Sequence, residues 1–152
     1  MIKKAIRFAI EAHKTQVRKG TNRPYIEHPF HVGILLIKAH QRDDVVIAGI
    51  LHDVLEDTNT TETTLEAEFG HEVLVLVKAA SEEDRSLSWE DRKMHTIDFL
   101  KKASEEVQMI SLCDKLSNIM DIEADLKKDG PKIWDRFNAN YKNQKWQTNK
   151  SY

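Results

Sequence analysis

The sequence predicts an all-α fold, a compact bundle of several helices in one domain spanning 1–152. Three observations point there. Only three prolines and five glycines punctuate 152 residues. No stretch shows a convincing two-residue alternation, and apolar residues recur at three- and four-residue spacing along most of the chain.

Composition narrows the function classes. The chain is long enough for one hydrophobic core, with 40% apolar and 32% charged residues. A formal charge of −2 with interspersed signs leaves no electrostatic footprint for duplex nucleic acid or a membrane surface. A single cysteine, Cys113, rules out an intrachain disulfide and suits a reducing, cytoplasmic setting. No window reads as a signal peptide or a membrane span. Oligomeric state is not legible.

Taken in order, Ile2 to Val17 reads as an amphipathic helix, with Ile6, Ala9, Ile10, His13 and Val17 at helical spacing and Gly20 ending it. His13 reads as a satisfied interior histidine. Arg18 and Lys19 close the last turn, where the helix dipole favours cations as well as a phosphate would. In Arg23-Pro24-Tyr25-Ile26-Glu27-His28-Pro29, Pro29 suits a first helical position and holds His28 just outside the helix. That makes His28 a pre-oriented ligand or a cap. The helix runs to about His40, and neither His31 nor His40 has a nameable partner. Asp43 or Asp44 caps the next helix.

That helix, through Ile47-Ala-Gly-Ile-Leu-His-Asp-Val-Leu-Glu-Asp-Thr58, is the centre of the chain. At roughly 100° per residue, Ile47, Ile50, Leu51, Val54 and Leu55 share one arc, and Gly49, His52, Asp53, Glu56 and Asp57 the opposite one. Gly49 leaves room for another segment to come close. Four ionisable groups on an apolar helix are expensive to bury without compensation, and a cation would supply it. A solvated acidic face is the plainer alternative.

Further on, Thr63 to Glu66 fits a capping box, with Leu65 and Phe69 as a short apolar face. His71 to Ala80 is a core helix. Ser81 to Leu87 is a polar connection, and Ser88 caps a helix to about Lys102 carrying Arg92 and His95. Ser104 to Lys128 is apolar around most of its circumference, with Asp114, Asn118 and Asp121 forming one polar seam. Asp114 is expected to lie deep, and Lys115, pointing about 100° away, is a poor candidate to neutralise it. Asp129-Gly130-Pro131 stops this helix. Ile133 to about Gln147 reads as a covering helix before a frayed or shortened terminus.

Together, His28, His52, Asp53 and Asp114 offer two imidazole nitrogens and two carboxylates from three segments. That mixed set suits Mn, Fe, Co or Zn better than Ca or Mg. Such an ion acidifies bound water and polarises a phosphoryl oxygen. Glu56 and Asp57, one turn on, are placed to orient that water and move protons. Arg18 and Lys19 would balance phosphate charge. The chemistry expected is phosphoester or phosphoanhydride hydrolysis.

Arg18-Lys19-x₄-Pro-Tyr-Ile-Glu-His-Pro, Leu51-His-Asp-Val-Leu-Glu-Asp-Thr and Asp114-Lys-Leu-Ser-Asn, in this order, resemble the HD-domain hydrolases. They are most similar to the RelA/SpoT-type branch, the small stand-alone alarmone hydrolases. The likeness runs from about Ala5 to Ile122. It implies an HD-type bundle with Mn²⁺ held by His28, His52, Asp53 and Asp114, and Glu56 and Asp57 as the catalytic pair. It also implies a guanosine 3′,5′-bispyrophosphate substrate losing its 3′-pyrophosphate, contacted by Arg18, Lys19, Asn118 and, more loosely, Tyr141. Two other readings are an HD phosphohydrolase of another nucleotide, such as NADPH or a nucleoside phosphate, and a non-catalytic metal- or nucleotide-binding sensor.

Overall fold

The computed structural model describes residues 1–81 and 88–136. Among these the chain forms α1 (Ile2–Ala12), α2 (Glu27–Lys38), α3 (Asp43–Leu51), α4 (Val54–Asp57), α5 (Glu62–Phe69), α6 (His71–Ala80), α7 (Trp89–Leu100) and α8 (Glu105–Asp129). A 3₁₀ helix, Gly130–Arg136, follows. The extended pairing described is one isolated bridge between Val17 and Pro24, so the all-α expectation holds.

Helix α3 is the hub, packing against α1, α2, α6 and α8. Every residue from Val45 to Leu51 is buried, so beyond its two N-terminal aspartates this helix has no polar face. Its sequence explains that, since seven consecutive apolar or small residues can only be interior. The expected opposite polar arc begins at His52, where α3 ends and His52-Asp53 form a turn before α4. Gly49 does admit a neighbour: a methyl group there would sit 2.1 Å from Leu36 Cδ1, and one at Gly33 would sit 2.6 Å from Ile50 Cγ1. Two glycines therefore let α2 and α3 cross at close range.

Several boundaries move. Helix α1 stops at Ala12, and residues 16–25 pair with themselves instead: Arg18 N donates to Arg23 O and Tyr25 N to Gln16 O, both at 2.9 Å. Gly20, at φ 71°, turns this loop rather than ending a helix. Ile10 and Val17 are 46% and 56% exposed, so the buried side of α1 is Ala5 and Ala9. His28 lies inside the first turn of α2, not before it, because Pro29 at the third position still lacks only an N–H that has no intrahelical partner. Arg42 takes the N-cap position of α3, with both aspartates in its first turn. The α5 cap is Thr61, two residues earlier than expected, its hydroxyl accepting from Thr64 N at 3.1 Å.

Helix α8 buries Val107, Ile110, Cys113 and Ser117, whereas Leu112, Leu116 and Met120 are 37% to 43% exposed; it is two-faced, not apolar throughout. Ser88 caps α7 as expected, and Ser104, where the next helix was expected to start, caps α8. Beyond Gly130 the chain continues as the 3₁₀ helix, burying Ile133. Phe137, Tyr141 and Trp146 lie outside the described residues.

Candidate metal centre

Three elements converge on one point. His28 comes from the first turn of α2, His52 and Asp53 from the break between α3 and α4, and Asp114 from the middle of α8. His28 Nε2 lies 3.1 Å from Asp114 Oδ1 and 3.8 Å from Asp53 Oδ2. His52 Nε2 lies 3.0 Å from Asp53 Oδ2 and 3.8 Å from Asp114 Oδ1. One donor atom each from His28, His52 and Asp114 fall within 4.8 Å of one another, the spread that one ion can bridge.

His52 (φ −58°, ψ −32°) and Asp53 (φ −95°, ψ −4°) stay in the helical region across the turn between α3 and α4, and the Asp53 carboxylate lies beside the His52 ring. His52 Nδ1 donates to the Gly49 carbonyl at 2.8 Å, which leaves Nε2 as the face offered to the cluster. That Nε2 is buried and makes no well-formed hydrogen bond, with Asp53 Oδ2 3.0 Å away. An orphaned imidazole nitrogen beside two carboxylates is a donor set that fits a divalent cation.

Electrostatics agree. Burial alone would strip His52 of its proton, yet the charge of Asp53, then Asp114, pushes its pKa up to about 9. Burial opposes ionisation of Asp53, but His52 overrides it and holds the carboxyl down at about 2. Asp114 is held well below the usual range, against its burial, by Lys115 and then the two histidines. Lys115 does reach Asp114, with Nζ 2.6 Å from Oδ2, correcting the expectation from its position on the helix. Its stem is long enough to fold back across the step.

Sequence reasoning missed three supporting residues. Tyr25 donates its hydroxyl to Asp53 Oδ2, and burial followed by Asp53 pushes that phenol far above its ordinary pKa. Ser117, fully buried on α8, touches both His28 and His31. Gln16 accepts from His13 Nδ1 at 2.8 Å and donates to the Asp57 carbonyl, tying the end of α1 to α4. His13 is thus interior as expected, though its Nε2 has no hydrogen-bond partner. Tyr25 and Ser117 sit inside the very motifs quoted above, but no spacing rule marks a buried hydroxyl.

Glu56, half-buried, and Asp57, exposed, lie on α4 just beyond the cluster. Arg18 donates to Asn118 Oδ1 at 3.0 Å and lies 2.5 Å from Asp121 Oδ2, while Asn118 Nδ2 donates to Asp114 Oδ1 at 2.7 Å. Lys19 is exposed on the loop, His95 is exposed on α7, and Tyr141 is outside the described residues.

An all-helical fold holding a His-Asp pair against a second histidine and a distant aspartate defines a class, and the chain belongs to the HD-domain family, matched over residues 5–143. The match extends past Ile122, where the motif resemblance faded. Among its relatives, the chain is 36% identical over 139 residues to MESH1 of Xenopus tropicalis, named guanosine-3′,5′-bis(diphosphate) 3′-pyrophosphohydrolase, covering 88% of this chain and 74% of that protein. The protein of the same name from Aquifex aeolicus is 34% identical, but the match covers 78% of this chain and only 17% of that much longer protein. Of solved structures, lmo0812 from Listeria monocytogenes superposes with a TM-score of 0.75 at 39% identity, covering 82% of this chain and 80% of that one. A structure described as a metazoan ortholog of SpoT that hydrolyzes ppGpp gives 0.74 at 32% identity, covering 81% and 70%. No helix among the described residues is long and apolar enough to cross a membrane.

Proposed function

We propose that this chain is a Mn²⁺-dependent guanosine 3′,5′-bispyrophosphate 3′-pyrophosphohydrolase acting in the cytoplasm. The observation that carries the reading is the convergence of His28, His52, Asp53 and Asp114, with His52 Nε2 orphaned at its centre, in a chain whose relatives bear that activity in their names. The donor set, two nitrogens and two oxygens, supports Mn²⁺ over Mg²⁺ or Ca²⁺.

When bound, the metal supplies an acidified water and a polarised phosphoryl oxygen. The protein does the rest. His28, His52, Asp53 and Asp114 hold the ion, while Tyr25 keeps the Asp53 carboxylate oriented. Glu56 and Asp57 orient the attacking water and receive its proton, which returns to the departing 3′ oxygen as the pyrophosphate leaves. Arg18 and Lys19 balance phosphate charge, with Asn118 and Tyr141 on the nucleotide. Arg18 must give up Asp121 to do so.

The test is mass spectrometry of products from guanosine polyphosphates, nucleoside phosphates and NADPH, using protein stripped of metal and reloaded with Mn²⁺. Pyrophosphate and guanosine 5′-diphosphate are expected. Loss of phosphate from NADPH alone would overturn the substrate assignment, and no turnover of any member would leave a binding protein.

A further inference from the structure

The two imidazoles of the metal centre are held from behind in different ways. Behind His52 stands a backbone carbonyl, 2.8 Å from Nδ1. A carbonyl only accepts, so it fixes the proton on Nδ1 by itself. Behind His28 stands Ser117 Oγ, 3.1 Å from Nδ1. A hydroxyl donates or accepts with equal ease, so Ser117 alone leaves the His28 tautomer undecided. The wrong tautomer would place a hydrogen on Nε2, the atom 3.1 Å from Asp114 Oδ1, and close it to a cation.

His31 gives that hydroxyl a second imidazole partner. It lies one turn beyond His28 on the same face of α2, and its Nδ1 is 3.0 Å from the same Ser117 Oγ. Ser117 is fully buried and has one proton to give. We infer that Ser117 and His31 are positioning residues: Ser117 Oγ donates its hydrogen bond to His31 Nδ1 and accepts one from His28 Nδ1, so that His28 presents a lone pair at Nε2. Ser117 stands three residues after Asp114 on α8, so the relay also fixes the approach of α2 to α8 beside the carboxylate that shares the ion. This role rests on the metal-centre reading above. It assigns His31 a partner that neither its spacing nor its half-buried position on α2 suggests.

The experiment is a Mn²⁺ titration of metal-stripped protein by chelator competition, with melting temperatures of the metal-free samples measured alongside. His31→Phe removes the acceptor and should weaken Mn²⁺ binding by about 10- to 100-fold, the range for lost support of a ligating histidine. Its metal-free melting temperature should stay at that of the parent. His31→Asn keeps an acceptor oxygen near the Nδ1 position and should restore affinity close to the parental value. Ser117→Ala should match His31→Phe in affinity; if it fails to fold, the His31 pair decides. Equal Mn²⁺ affinity in the parent and His31→Phe, or equal weakening by Phe and Asn, overturns the relay while leaving the metal centre standing. A parent that binds no divalent metal overturns both.

Discussion

The guanidinium of Arg18 lies 2.5 Å from the carboxylate of Asp121, 103 residues further along the chain. Arg23 extends the contact, with Nη2 3.0 Å from Asp125 Oδ2. The loop between α1 and α2 is therefore clamped onto one polar edge of α8, next to the metal centre. The same Arg18 is the proposed phosphate contact, so Asp121 and the substrate compete for it.

That competition has opposite signatures in two variants. Arg18→Ala should raise KM by about 10-fold or more, the worth of a lost hydrogen bond to a charged group. Asp121→Asn should lower KM, because the guanidinium is released, while reducing stability to urea by roughly 1–2 kcal/mol, between exposed and buried ion pairs. A raised KM in Asp121→Asn would make the pair part of the productive site instead.

Metal holding and proton handling should separate. Asp53→Ala removes the carboxylate 3.0 Å from His52 Nε2 and should abolish metal binding and turnover together. Glu56→Gln should keep the metal and lower kcat by about 10²-fold, a typical general acid–base contribution. Metal analysis of purified variants beside their rates decides; undiminished turnover in Glu56→Gln would reassign the proton step.

The helix crossing at the hub should tolerate no added methyl. Gly49→Ala places Cβ 2.1 Å from Leu36 Cδ1, and Leu36 is itself fully buried. Overpacking of this kind costs about 1–3 kcal/mol. Chemical denaturation should show that loss, and a neutral Gly49→Ala would mean that the Leu36 side chain turns aside to admit the methyl group.

In the metal-free protein, His52 holds its proton up to about pH 9 against an ordinary value of 6.5. A raised folded-state pKa adds stability that is complete below 6.5 and is lost as pH rises toward 9. Asp53 and Asp114, both held low, contribute equally at both ends of that window. Melting temperatures in EDTA should therefore fall between these limits, while metal affinity rises as the competing proton leaves. A flat profile in EDTA would show that His52 is neutral without its metal.

Much was legible from local patterns. The core residues of α5 and α6, the cap Ser88, and the stop at Gly130 all follow from spacing and terminal chemistry. Helix α1 ends at Ala12, short of Val17, which falls four residues after His13 only by coincidence, a spacing that periodicity reads as helix. Lys115 reaches Asp114 despite its position on the helix. Backbone angle says where a Cβ points, but a four-carbon stem is free to return.

By itself, the sequence determined an all-helical chain and the residue types gathered near the metal centre, because helical period, capping and motif order are local properties. Tertiary structure alone decided that the helix breaks at His52-Asp53 and that Ser117 joins two histidines. Each of these depends on contacts between segments far apart in the chain. Whether a hydroxyl or an imidazole nitrogen is satisfied is settled only when its neighbours from other helices arrive.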